Sequence, residues 1–167
     1  MGYGIIQHHK PRPNLIAIGI LELHKLQDHY VKIRKIFERT LSLIDEFHPD
    51  ELAIEAPFYG KNVQSMLKLG RAQGAAISAA LYRDLPIYEY APKKIKMAIT
   101  GQGNASKEQV RGLLSNILDI KELPKNLDAT DGLAAAVCHY YQKDMPENQA
   151  NYSSWKDFVN KNPGRKV

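Results

Sequence analysis

Leu52-Ala53-Ile54-Glu55-Ala56-Pro57-Phe58 is a short apolar run that carries one acid and is closed by a proline. A run of that length stopped by Pro57 reads as a buried strand. Upstream, from about Lys25 to Phe47, apolar residues fall at Leu26, Tyr30, Ile33, Ile36, Phe37, Leu41, Ile44 and Phe47. Spacings of three and four line one face of a helix, which His48-Pro49-Asp50 ends. Downstream, Asn62 to Tyr82 reads as a second long helix, and Pro86-Ile87-Tyr88-Glu89-Tyr90 as the next strand. A strand entered from a helix usually lies parallel to its neighbour, so the centre of the chain is an α/β unit.

The same reading extends to both sides. Tyr3 to Gln7 and Leu15 to Leu23 are apolar runs around the loop Lys10-Pro11-Arg12-Pro13-Asn14, the pattern of an antiparallel hairpin. Pro92 to Ile99 starts with proline, which suits the first turn of a helix. After the loop from Thr100 to Asn104, Ser106 to Leu118 resumes helical spacing through Val110, Leu113, Leu114 and Ile117. A last helix is expected from about Asp128 to Gln142. Residues 1 to 143 are therefore expected to form one domain, and residues 144 to 167, polar apart from anchors such as Trp155 and Phe158, a partly ordered tail.

At 167 residues the chain has the length of one ordinary domain. With 44% hydrophobic and 25% charged residues, neither a fibrous repeat nor a disordered chain is supported. No apolar run is long enough for a bilayer span, and the start lacks the regions of a secretory leader, so no membrane partner and a cytoplasmic location are expected. The lone Cys138, within Ala-Ala-Val-Cys, reads as packing. A net charge of +5 permits a polyanionic partner, and its excess gathers in Lys61 to Arg71, Lys93 to Lys96 and Lys161 to Lys166. The second helix is rich in Gly and Ala from Gly70 to Ala80. Small side chains suit either tight packing on the sheet or a subunit interface.

Glu55 stands at the C-terminal end of its strand, the edge where open α/β sheets hold their sites. Asp128 and Asp131 lie three apart, so both project from one face of the first turn of a helix. A helix N-terminus favours acids, so capping is the other reading for Asp128. Asp131 precedes an apolar helix interior, where an acid needs a cation or hydrogen-bond donors. Glu55, Asp128 and Asp131 would offer oxygen ligands without sulfur, which suits Mg²⁺ over Zn²⁺. Two such ions about 3.5–4 Å apart serve phosphodiester hydrolysis in many nucleases.

Several stretches in order then resemble one family. They are Ala53 to Phe58, Lys61-Asn62, Ser65 to Gly74, Glu89 to Pro92, Gly101 to Lys107, and Leu127-Asp128-Ala129-Thr130-Asp131-Gly132-Leu133-Ala134. The chain resembles the RuvC Holliday-junction resolvases over residues 2 to 142. The resemblance implies an RNase H-like mixed sheet flanked by helices and a homodimer that resolves four-way junction DNA by paired symmetric nicks. It also implies Mg²⁺ dependence with two ions per site, and cooperation with the RuvA and RuvB branch-migration proteins. Glu55, Asp128 and Asp131 match three of the family's four catalytic acids. Phe58 matches an aromatic that stacks on junction bases, a core aromatic being the other reading. Lys96 and Lys107 match basic residues near the scissile phosphates, and Lys61 falls in a matched DNA-binding stretch.

The start departs from the family pattern. There, an apolar strand with the motif Gly-Ile-Asp-Pro-Gly precedes a Gly-Tyr-Gly-Ile-Ile stretch, and its Asp is the fourth catalytic carboxylate. Here Met1 opens directly onto Gly2-Tyr3-Gly4-Ile5-Ile6, and the first acid is Glu22. The expected fold therefore lacks its central N-terminal strand, which leaves neighbouring strand edges unpaired. If these 167 residues are the whole protein, little or no cleavage is expected. The alternative is a non-catalytic junction-binding or assembly protein.

Overall fold

The computed structural model describes residues 1–57, 62–121, 123–124 and 127–144. The expected tail from residue 145 on, and the candidate residues Phe58 and Lys61, lie outside these. The element order is β1 (Gly2–Gln7), β2 (Asn14–Ile20), α1 (His29–Phe47), β3 (Leu52–Glu55), α2 (Val63–Leu81), β4 (Ile87–Tyr90), α3 (Pro92–Thr100), α4 (Lys107–Ile117) and α5 (Leu127–Asp144). The strands and helices expected from the sequence are all present. The first helix starts later than its apolar spacing suggests, because the Asp28 side chain accepts from the Val31 amide and caps it there.

β1 and β2 pair antiparallel, from Gly2 opposite Ile20 to Gln7 opposite Asn14. β3 and β4 pair parallel, Leu52 with Ile87 through Glu55 with Tyr90. Among the described residues the two pairs share no ladder, so one edge of β1 and one edge of β3 carry no strand partner. The fold is thus mixed α/β, with one antiparallel and one parallel strand pair, as expected from the sequence.

Helices cover both faces. On one side α1 and α2 pack together, with Ile36, Ala75 and Ala76 buried between them and the strands. On the other side α3, α4 and α5 bury Ile95, Leu114, Leu133 and Val137 in the largest core cluster. Cys138 belongs to that cluster, with no exposed surface. Among the described residues, no helix is long and apolar enough to cross a membrane.

Glycine sets how closely α5 meets β1. A Cβ on Gly132 would lie 2.7 Å from both the Gly2 carbonyl oxygen and the Tyr3 Cα, and one on Gly4 would lie 2.6 Å from the Leu133 Cα. Helix and strand therefore touch backbone to backbone, which only a missing side chain permits. Gly2 lies against Asp128, and Tyr140 on α5 donates to the His9 carbonyl, so β1 and α5 run in the same direction.

Candidate active site

Between the free edges of β1 and β3 lies an open trough of about 1170 Å³. Its walls are Ile36, Ile44 and Ala76 from α1 and α2, and Gly132, Ala135 and Ala136 from α5. Glu55, Asp128 and Asp131 all line it. Acids separated by more than 70 positions in the sequence thus border one cavity.

Three local structures bring them there. Glu55 ends β3, and Ala56 continues the pairing by donating to the Tyr90 carbonyl. α5 begins at Leu127, which puts Asp128 within its first turn, where the helix N-terminus favours an acid. Asp131 follows one turn later on the same face. Lys107 comes from α4, whose start is fixed by a reciprocal capping box between Ser106 and Gln109.

Lys107 Nζ donates to Asp131 Oδ2 at 2.7 Å and lies 4.0 Å from Asp128 Oδ1. The bond to Asp131 holds the Lys107 ammonium above its ordinary pKa, against its partial desolvation. Glu55 is pushed up in turn, first by desolvation and then by the charge of Asp131, with Lys107 and Lys96 opposing. Glu55, Asp128, Asp131, Lys96 and Lys107 therefore form one electrostatic group.

The carboxylates do not close into a coordination shell. Among the described residues, no three His, Cys, Asp or Glu side chains are placed to hold a metal ion. Like charges keep apart unless a cation draws them in, and here the Lys107 ammonium already bridges towards two of them. The donor chemistry nevertheless fits a hard divalent cation: oxygen ligands, no sulfur, and an ammonium standing in as counter-charge.

Sequence reasoning missed the far end of the trough. His139 Nε2 lies 2.8 Å from Glu51 Oε2, Lys143 donates to the same oxygen at 2.7 Å, and the Tyr90 hydroxyl is 2.7 Å from His139 Nδ1. Burial raises the Glu51 pKa, but the bonds from Lys143 and His139 outweigh it and leave the net shift downward. The signal was available, because positions 128, 132, 135, 139 and 143 share one face of α5. With Glu51 beside His139 and Glu55 electrostatically coupled to Asp131, β3 runs against α5 and hence against β1.

Comparison with known proteins agrees with this architecture. The family described as crossover junction endodeoxyribonuclease RuvC matches residues 1–139. A Christiangramia forsetii crossover junction endodeoxyribonuclease RuvC is 61% identical over 98% of this chain and 85% of its own length. A Bacteroides fragilis protein of the same name is 60% identical over 99% of this chain and 89% of its own. Among solved structures, Thermus thermophilus RuvC superposes with a TM-score of 0.76 at 28% identity, covering 85% of this chain and 88% of that one. The T. thermophilus RuvC complex with Holliday junction substrate gives 0.79 at 28% identity, over 86% and 88%. With its strand pairs, its acids around one trough and near full-length likeness to these relatives, the chain belongs to the RuvC family of crossover junction endodeoxyribonucleases.

Proposed function

We propose that the chain is a structure-specific endodeoxyribonuclease acting on four-way DNA junctions, with Glu55, Asp128 and Asp131 as its acidic site. The observation that carries the reading is the meeting of these acids with Lys107 and Lys96 around one end of the trough. The acids would hold Mg²⁺, two ions in the family pattern, which when bound supplies an activated water and charge stabilisation for the leaving oxygen. The chain's own residues do the rest. Lys107 and Lys96 set positive charge at the rim, where a phosphodiester can be steered and its charge balanced. α5, locked against β1 through Gly132, keeps Asp128 and Asp131 in fixed relation to the sheet.

In this reading an extended strand seated in the trough completes both sheet and site. The two unpaired edges that border the trough support it, and the antiparallel sense of β1 and β3 makes the completed sheet mixed. The exposed apolar residues Val63, Leu67 and Leu81 of α2, with Tyr82 at its C-cap, support the homodimer, which would present two sites to two strands. RuvA and RuvB as partners, and work on DNA in the cytoplasm, follow from the family reading.

The test is cleavage of a synthetic four-way junction by the 167-residue chain and by the same chain extended at Met1 with an apolar strand carrying one Asp. The extended protein should cut with Mg²⁺, and Asp131→Asn should abolish cutting while leaving junction binding largely intact. Robust cutting by the 167-residue chain alone would refute the need for that strand. Junction binding by both forms without cutting by either would favour the non-catalytic alternative.

A further inference from the structure

The ammonium of Lys107 lies against the two aspartates at the start of α5. It bonds Asp131 at 2.7 Å, lies 4.0 Å from Asp128, and acts electrostatically on Glu55. Its backbone is rigid, held by the Ser106–Gln109 capping box at the first turn of α4. Its side chain is not, with 49% of its surface exposed, as is 42% of that of Asp131. The side chain can therefore leave Asp131 without uncovering any core.

From this we infer that Lys107 is an exchangeable internal counter-cation: it neutralises the acids before a divalent ion binds, and is displaced from Asp131 when one does. The inference rests on the reading of these acids as a metal site and adds a coupling to it. Divalent charge satisfies Asp131 better than one ammonium, and a lysine so released keeps its position at the rim, with its charge available to a phosphate. Binding of the ion and presentation of a basic side chain to the substrate then become one event. Lys96 stays a separate charge, since its influence falls on Glu55.

The exchange makes Lys107 a competitor of the metal, which a measurement without DNA or turnover can read. Mn²⁺ binding to the intact chain is followed by electron paramagnetic resonance for the natural protein and for Lys107→Met, Lys107→Arg and Asp131→Asn. An exposed ion pair shifts an equilibrium by about fivefold at most, so Lys107→Met should bind Mn²⁺ about two- to fivefold more tightly. Lys107→Arg, which keeps the ion pair, should stay near the natural affinity. In parallel, the ¹⁵N ammonium signal of Lys107, assigned by its loss in Lys107→Met, should move as Mg²⁺ is added, with the midpoint of metal binding.

If Asp131→Asn weakens Mn²⁺ binding but Lys107→Met leaves it equal or weaker, and the ammonium signal stays still through saturation, the exchange is overturned and the metal site stands. If Mn²⁺ binding is absent or indifferent to Asp131→Asn, the metal-site reading and the exchange fall together.

Discussion

Replacing Gly132 by alanine tests the contact that fixes the site. The new Cβ would lie 2.7 Å from the Gly2 oxygen and the Tyr3 Cα, where ordinary contact starts at 3.4 Å. α5 and β1 must then separate by about 0.7 Å, and overpacking of this kind costs about 1–3 kcal/mol. Alanine returns about 1 kcal/mol of helix propensity, so the net loss should be about 0–2 kcal/mol. For a domain of this size each kcal/mol moves Tm by about 2–4 °C. Gly112 in α4 is the control, because a Cβ there meets nothing within 4 Å. Gly112→Ala should gain up to about 1 kcal/mol and raise Tm, while Gly132→Ala lowers it. Paired thermal and urea unfolding, followed by circular dichroism, reads both. Equal stabilisation by the two substitutions would refute the backbone contact, because propensity alone would then account for both.

Three further outcomes follow from the side-chain chemistry. Glu51→Ala should cost about 2 kcal/mol at neutral pH, since it strips a charged partner from His139 and Lys143. Glu51 titrates below its usual range when folded. Its contribution should be present above the unfolded Glu pKa and fade as pH falls through the lower folded value, as urea midpoints across pH would show. Glu55 should behave oppositely: its raised pKa means stability declines as pH rises from the unfolded Glu value through the higher folded one, and Glu55→Gln should remove that slope. Cys138, buried and with its thiol pushed up to about 11, should react with a thiol reagent only as fast as the protein opens, and at once in denaturant.

Much of the fold was legible because each element carries its own local signal. β3 and β4 are bounded by prolines, α4 by a capping box, and α1 and α2 by asparagine or aspartate caps. The acids of the candidate site were legible for a related reason: a strand end and the opening turns of a helix are local features. What was not legible depends on contacts between distant segments. Gly2, Gly4 and Gly132 look like ordinary glycines in sequence, and only the crossing of α5 over β1 shows why side chains are excluded. The Glu51–His139 pair joins residues 88 positions apart, and neither is unusual in its own segment. Lys107 illustrates both sides: its place at the start of a helix is local, whereas its bond to Asp131 arises from how α4 and α5 pack.

Trough and acidic site are one feature rather than two neighbours, and α5 is the reason. Along a single face this helix presents Asp128 and Asp131, then Gly132, Ala135 and Ala136, then His139 and Lys143, and all of them line the trough. Its charged ends meet Glu55 at the end of β3 and Glu51 just before its start, while its small middle leaves room beside the free edges of β1 and β3. A helix that only had to cover a sheet would place larger apolar residues there, as its opposite face does with Leu133 and Val137. The small middle therefore leaves the trough open between the two free edges, where the proposed strand would sit, with the carboxylates bordering it. Seating that strand would add backbone hydrogen bonds to two open edges and narrow the space beside the acids in the same step. Folding and readiness of the site are in this way coupled through the same residues of α5.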